Sequence, residues 1–97
     1  MAIVMFMKWA GITAEQYDQI REAVNFEEEV PNGAQFHVAS FDATGARICD
    51  VWDSAEQFDA FVNNRLMPAV QQVGVAGEPQ VEILEAHNIF APAFEGV

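Results

Sequence analysis

The chain has a single cysteine, Cys49, and so cannot close an intrachain disulfide. That excludes the cross-linked scaffolds of small secreted proteins and fits a reducing cytoplasm, with Cys49 as a small apolar side chain. Basic residues are equally scarce: Lys8, Arg21, Arg47 and Arg65 stand against 15 acidic ones, a net charge of −11. Phosphate backbones and anionic bilayers are held by clustered Lys and Arg, so nucleic acid and membrane surfaces are not expected partners. No apolar run is long enough to span a bilayer. The opening stretch MAIVMFMKWAG is too short, and it has neither a basic leader nor a small-residue cleavage pattern. Also missing are a Gly-rich phosphate loop, a nucleophile elbow, Cys-x-x-Cys and His-Glu-x-x-His, so no local motif calls for a nucleotide, an acyl-enzyme or zinc.

What is present is apolar bulk. The hydrophobic fraction is 52% in only 97 residues, while a domain of this size buries roughly 60–65% of its unfolded surface. The excess implies apolar surface covered by a second copy or by a ligand, and a homodimer is expected.

The most informative stretch is Ala34 to Ser54. Two alternating runs enclose Asp42-Ala43-Thr44-Gly45, whose Asp and Gly are turn formers, so a β-hairpin is predicted. With those four residues as the loop, Phe41 pairs with Ala46 and His37 lies opposite Asp50. Alternation puts Phe36, Val38, Cys49 and Val51 on one face, which their apolar character assigns to the underside of helices. Gln35, His37, Ala39, Phe41, Ile48, Asp50 and Trp52 share the other, an apolar wall with one polar spot.

Ile3, Met5, Met7 and Trp9 alternate with Ala2, Val4, Phe6 and Lys8, so the first strand is apolar on both faces until Lys8 and should be central. Thr13-Ala14-Glu15-Gln16 has the form of a capping box, and Tyr17, Ile20, Ala23 and Val24 follow at helical spacing to about Asn25. Phe26 to Gly33, with Glu27, Glu28 and Glu29 in a row, reads as a solvated acidic loop. Ser54-Ala55-Glu56-Gln57 is a second capping box before Phe58, Phe61, Val62 and Leu66. The segments TAEQYDQI and SAEQFDAF match almost residue for residue, each after a strand ending in Trp, so the chain repeats a strand–helix unit. Pro68 should stop or kink the second helix near Met67, with a further turn through Val70 and Val73 ending at Gly74.

The last strand is predicted over Val81 to about Ile89, with a bulge near Leu84-Glu85 to reconcile its two halves. Phe90 to Val97 is expected to pack on a partner or fray, making residues 1–90 one domain and 91–97 a tail. The order β-α-β-β-α-β is the α+β, ferredoxin-like plan: an antiparallel sheet in the order 4-1-3-2 with both helices on one side. The uncovered face would then carry Ile3, Met5, Met7, Trp9, Phe41, Ile48 and Trp52, and two such sheets should meet face to face.

The element order, the strand His37-Val38-Ala39, the run Asp50-Val51-Trp52-Asp53-Ser54 entering a helix with a late Pro, and the closing His87-Asn88-Ile89-Phe90 resemble the dimeric α/β-barrel superfamily. That group includes antibiotic-biosynthesis-monooxygenase-like and stress-responsive barrel proteins, and the nearest likeness is to small bacterial members of unassigned function. The resemblance implies a barrel of two sheets, with a ligand cavity between each sheet and its helices or inside the barrel. It implies no one activity, since the group spans cofactor-free oxygenases, polyketide cyclases, muconolactone-type isomerases, haem-handling enzymes and proteins without a known reaction.

Candidate chemistry centres on His37 and Asp50. A carboxylate beside an imidazole fixes its tautomer and favours its charged form, which prepares a general base for removing a proton next to a carbonyl. Three roles stay open for the pair: catalysis, ligand anchoring, or mutual satisfaction of two half-buried polar groups. His87 and Asn88, at the edge opposite the His37 strand, would reach the partner's hairpin in the dimer implied by the resemblance, His87 as a catalytic candidate and Asn88 as a substrate contact. Met7, Trp9, Phe41, Ile48 and Trp52 would wall a pocket for a flat apolar or aromatic molecule, or simply fill the core. His37, Asp50 and His87 would make a 2-His-1-carboxylate iron set, but no spacing supports one, and neither His is marked out as a haem ligand. No metal and no cofactor is expected. The reading is a small cofactor-independent enzyme acting on an aromatic or polyketide-like carbonyl compound, of cyclase, isomerase or monooxygenase type; the alternatives are a non-catalytic ligand-binding protein and a dimeric structural module.

Overall fold

In the computed structural model, which describes residues 1–94, the elements follow the predicted order. Strand β1 is Ile3–Ala10, helix α1 Ala14–Val24, strands β2 and β3 Ala34–Asp42 and Gly45–Trp52, helix α2 Ala55–Phe61, helix α3 Met67–Val73 and strand β4 Gln80–Glu85. The strands form one antiparallel sheet in the order β2-β3-β1-β4, the ferredoxin-like arrangement. No helix among the described residues is long and apolar enough to cross a membrane.

Local chemistry explains where the elements begin. The Thr13 hydroxyl accepts from the Gln16 backbone N–H, and the Gln16 side chain accepts in return from the Thr13 N–H, so the capping box is complete. At the second helix Ser54 Oγ accepts from the Gln57 N–H, but Ser54 Oγ–H, rather than its backbone, donates to Gln57 Oε1. Helix α1 ends at Asn25, which takes the left-handed conformation at φ 57° and donates its N–H to the Arg21 carbonyl.

Pro68 does not stop the second helix, but the regular α-helical run is interrupted just ahead of it, and the further turn ends at Gly74 as expected. Residues Val62–Leu66 form a π-helical turn joining α2 to α3, and the Met67 N–H reaches back five residues to the Val62 carbonyl. A widened turn just ahead of Pro68 relieves the clash its ring would make with a carbonyl four residues earlier. The same turn carries Arg65, whose guanidinium lies over the Phe61 ring and donates to the Val24 carbonyl at 2.8 Å. A cation at that helix C-terminus meets the negative end of the α1 dipole.

The sheet faces are the reverse of those expected. Met5, Met7, Trp9, Ile48 and Trp52 are buried beneath the helices with Ile20, Val24, Phe58, Ala69 and Val70, and Met5 is 1% exposed. The open face carries Val4, Phe6, Val38, Cys49, Val51 and Leu84, along with Lys8, Arg47 and Glu82. Lys8 and Arg47 sit directly opposite each other there. Helices could not cover two charges, whereas the other face offers unbroken apolar bulk on β1 and β3; that contrast fixes the side. Cys49 is accordingly half-buried on the open face, not under the helices.

Strand β4 also departs from expectation. It ends at Glu85 and runs against β1 in one unbroken register from Lys8–Gln80 to Ile3–Glu85, without a bulge. A register shift occurs instead in β2, between Ala34 and Phe36, so that Ala34, not Gln35, lies opposite Trp52. Of the segment 91–97, Pro92–Phe94 make a 3-10 turn and 95–97 lie outside the described residues.

Candidate active site

The turn fixes the hairpin register. Asp42 Oδ1 accepts from the Thr44 N–H, the Thr44 hydroxyl and the Gly45 N–H, and Asp42 Oδ2 from Arg47. These bonds hold its carboxyl down at about 2, the Thr44 hydroxyl contributing most. Counting back from this turn, His37 pairs with Asp50 as predicted.

Four side chains then join in a line. His37 Nδ1–H donates to Asp50 Oδ1 at 2.6 Å, and Trp52 Nε1–H donates to Asp50 Oδ2 at 3.1 Å. At the other end the Tyr17 hydroxyl lies 2.6 Å from His37 Nε2. A carboxylate only accepts, so Nδ1 carries the proton facing it; Nε2 of the neutral ring is then an acceptor and takes the Tyr17 O–H. The Asp50 side chain is 7% exposed and the His37 side chain 31%, so solvent and ligands reach the imidazole but not the carboxylate behind it.

Tyr17 comes from α1, twenty residues before His37 in the chain, and its ring plane is within 6° of the imidazole plane. Burial, the largest influence, raises its pKa above the usual 10.0, so it remains a neutral hydroxyl at physiological pH. Phe26 meets the imidazole edge-on at 5.2 Å, and Phe41 meets the Tyr17 ring edge-on at 6.0 Å. Arg21 beside them pairs with Glu27 through two bonds of 2.8 and 2.6 Å. That pair gives one member of the acidic run a partner; it holds the Glu27 carboxyl below its usual range and the Arg21 guanidinium above its own.

Behind the line is a cleft of about 80 Å³ between the sheet and α1 and α2. Met7, Trp9, Ile48 and Trp52 wall it together with Tyr17, His37 and Asp50, on the helix-covered side of the sheet rather than the uncovered one. Phe41 does not reach it and packs outside on Tyr17. His87 is exposed in the segment after β4, and Asn88 lines a shallow groove on the open face with Val4, Val51 and Phe90, so one protomer brings neither to His37. No cluster of three metal-ligating side chains occurs among the described residues.

Tyr17 escaped the sequence reading because its place in the stripe with Ile20 and Val24 marks it as core. Its hydroxyl was the available signal: it is the one polar group on that stripe, and a buried hydroxyl needs a partner.

No family model and no curated protein matches the chain. Solved structures do match its fold. NE2512 of Nitrosomonas europaea, a protein of unknown function, superposes with a TM-score of 0.71 at 16% identity over 94% of each chain. A dimeric ferredoxin-like protein of unknown function from Thermobifida fusca gives 0.64 at 11% identity over 89% of this chain and 92% of its own. A monooxygenase from the gene ActVA-Orf6 of Streptomyces coelicolor, in complex with the ligand Nanaomycin D, gives 0.60 at 13% identity over 94% of this chain and 91% of its own. The fold neighbours are thus ferredoxin-like, antibiotic-biosynthesis-monooxygenase-like proteins, several without an assigned function.

Proposed function

We propose that this protein is a dimeric, cofactor-independent enzyme that removes an acidic proton from a small aromatic carbonyl compound. The observation that carries the reading is the unbroken line from Tyr17 through His37 to buried Asp50 at the edge of an apolar cleft. Tyr17 donates its proton to Nε2, which leaves its oxygen lone pairs free to accept another. As a substrate C–H or O–H gives its proton to the Tyr17 oxygen, the Tyr17 proton passes to Nε2, and Asp50 stabilises the imidazolium that forms. Trp52 holds the second carboxylate oxygen so that Asp50 keeps its aim on Nδ1.

The enolate or phenolate left behind can be reprotonated elsewhere, close on an internal carbonyl, or react with oxygen. Isomerisation, cyclisation and oxygenation therefore share this first step, and no cofactor is required for it. The monooxygenase activity and bound small molecule of one fold neighbour support the general kind of chemistry, and the dimeric state of another supports the assembly.

Size narrows the substrate. Sites that enclose drug-sized ligands run to roughly 300–1,000 Å³, and an apolar cavity of roughly 150 Å³ takes up benzene. A cleft of about 80 Å³ admits one aromatic ring with modest side-chain movement, not a fused polyketide. The same small volume favours a second reading, a binding protein for a single-ring compound with no reaction.

Deuterium exchange at the α-carbon of acetophenone in D₂O, followed by NMR, separates the two. The enzyme reading expects wild-type protein to accelerate exchange and His37→Gln to lower the accelerated rate by roughly 10²- to 10⁴-fold, the usual worth of general-base catalysis. Tyr17→Phe should lower it too, because the relay loses the hydroxyl that takes the substrate proton. Exchange no faster with wild type than with His37→Gln would leave binding alone.

A further inference from the structure

The cleft's polar side chains are nearly all engaged. Tyr17, His37, Asp50 and Trp52 bond one another, and Arg21 bonds Glu27. The exception is Trp9. Its side chain lines the same cleft, the residue is 4% exposed, and its buried indole Nε1 has no hydrogen-bond partner among the described residues. Buried indole N–H groups ordinarily find an acceptor, because an unmade bond there carries the full cost of desolvation. The side chains of its same-face neighbours on the sheet, Met7, Ala46 and Ile48, carry no oxygen or nitrogen. A lone water would have one donor against the two to four polar partners that usually hold such a molecule.

We propose that the Trp9 indole N–H is the anchoring donor for an acceptor oxygen of the ligand, and that the cleft selects single-ring aromatic carbonyl compounds over hydrocarbons of the same shape. The inference rests on the reading of the cleft as a ligand site. It adds a direction to that reading: the ring lies among Met7, Ile48 and Trp52, and the carbonyl oxygen turns toward Trp9. The discrimination comes from the orphaned donor. A hydrocarbon leaves it unpaired, whereas a carbonyl satisfies it.

Acetophenone and ethylbenzene, nearly isosteric and differing in the carbonyl, test this on the intact protein. The two Trp indole N–H signals in a ¹H–¹⁵N spectrum are assigned with Trp9→Phe. Acetophenone should bind and move the Trp9 indole proton downfield, while ethylbenzene should bind more weakly and leave that proton without such a shift. Trp9→Phe should weaken acetophenone by roughly 3- to 10-fold, the value of one net hydrogen bond, and change ethylbenzene little. If the variant does not fold, the contrast between the two probes in wild type decides. Binding of both probes with no downfield shift of Trp9, or equal weakening of both by Trp9→Phe, overturns the anchoring role while the cleft stands as a ligand site. Failure of both probes to bind overturns the cleft reading and this inference with it.

Discussion

Tyr17 is the only tyrosine in the chain, so its ionisation can be followed by absorbance without ambiguity. Burial is the main reason its pKa is raised, and the nearby Asp50 carboxylate adds to it while Arg21 opposes it. The tyrosinate absorbance should therefore appear with a midpoint above 10.0 in native protein and return to about 10.0 in denaturant. The sign for stability follows: a folded pKa raised above the unfolded one gives stabilisation that is complete below about 10 and is lost as pH rises through the folded value. A native midpoint at or below that of the denatured protein would mean that Tyr17 is not seated against His37. The His37–Asp50 half of this line was legible from residue order alone, because a turn of known length fixes which residues face each other across a hairpin. The Tyr17 half was not, since no rule of local spacing links a helix position to a strand position twenty residues on; packing of α1 on the sheet makes that contact.

At the scale of elements the hairpin shows how firmly that register is held. Gly45 has φ +148°, and a Cβ there would collide with the backbone carbonyl of Trp9, as well as coming within 2.9 Å of the Gly11 nitrogen. Neither obstacle is a flexible side chain that can step aside. Gly45→Ala should therefore destabilise the protein by about 2 kcal/mol or more in urea unfolding, above the usual cost of a surface substitution. A loss within about 0.5 kcal/mol would show that the strand ends part more easily than the geometry implies. Strand and helix starts were readable because caps and turns are local chemistry. The choice of face is not legible from the apolar run Phe36, Val38, Cys49 and Val51 alone, because Lys8 and Arg47 share that face once β1 pairs with β3. The end of β4 is not legible from alternation for a related reason: past the Ile3–Glu85 pair only the Ala86 N–H still finds β1's lead-in, at the Ala2 carbonyl, and the ladder stops there.

For the whole molecule, the inversion of the faces separates two roles that had been assigned to one surface. The cleft lies under the helices, and what remains outside is an open face with Phe6 at 45%, Val38 at 46% and Leu84 at 51% exposure. Phe6 and Val38 both border Cys49, and Leu84 pairs with Val4, so these side chains form one continuous patch. Phe90 and Ile89, exposed after β4, extend it along the groove they share with Val4 and Val51. A contiguous apolar patch of this kind is costly to leave in water, and a second copy meeting it sheet to sheet would remove it. The acidic net charge opposes association, but on this face Lys8 and Arg47 offset Glu82, so repulsion is locally relieved. The wild-type protein should therefore sediment as a dimer at micromolar concentration. Phe6→Glu, which would put a carboxylate at the centre of the patch, should yield a folded monomer, because the residue it replaces contributes nothing to the core beneath the helices. Since the cleft belongs to the opposite side of the sheet, that monomer should still bind acetophenone within a few-fold of wild type. Loss of binding together with loss of the dimer would show instead that the partner subunit completes the site, and His87, exposed after β4, would be the first residue to examine.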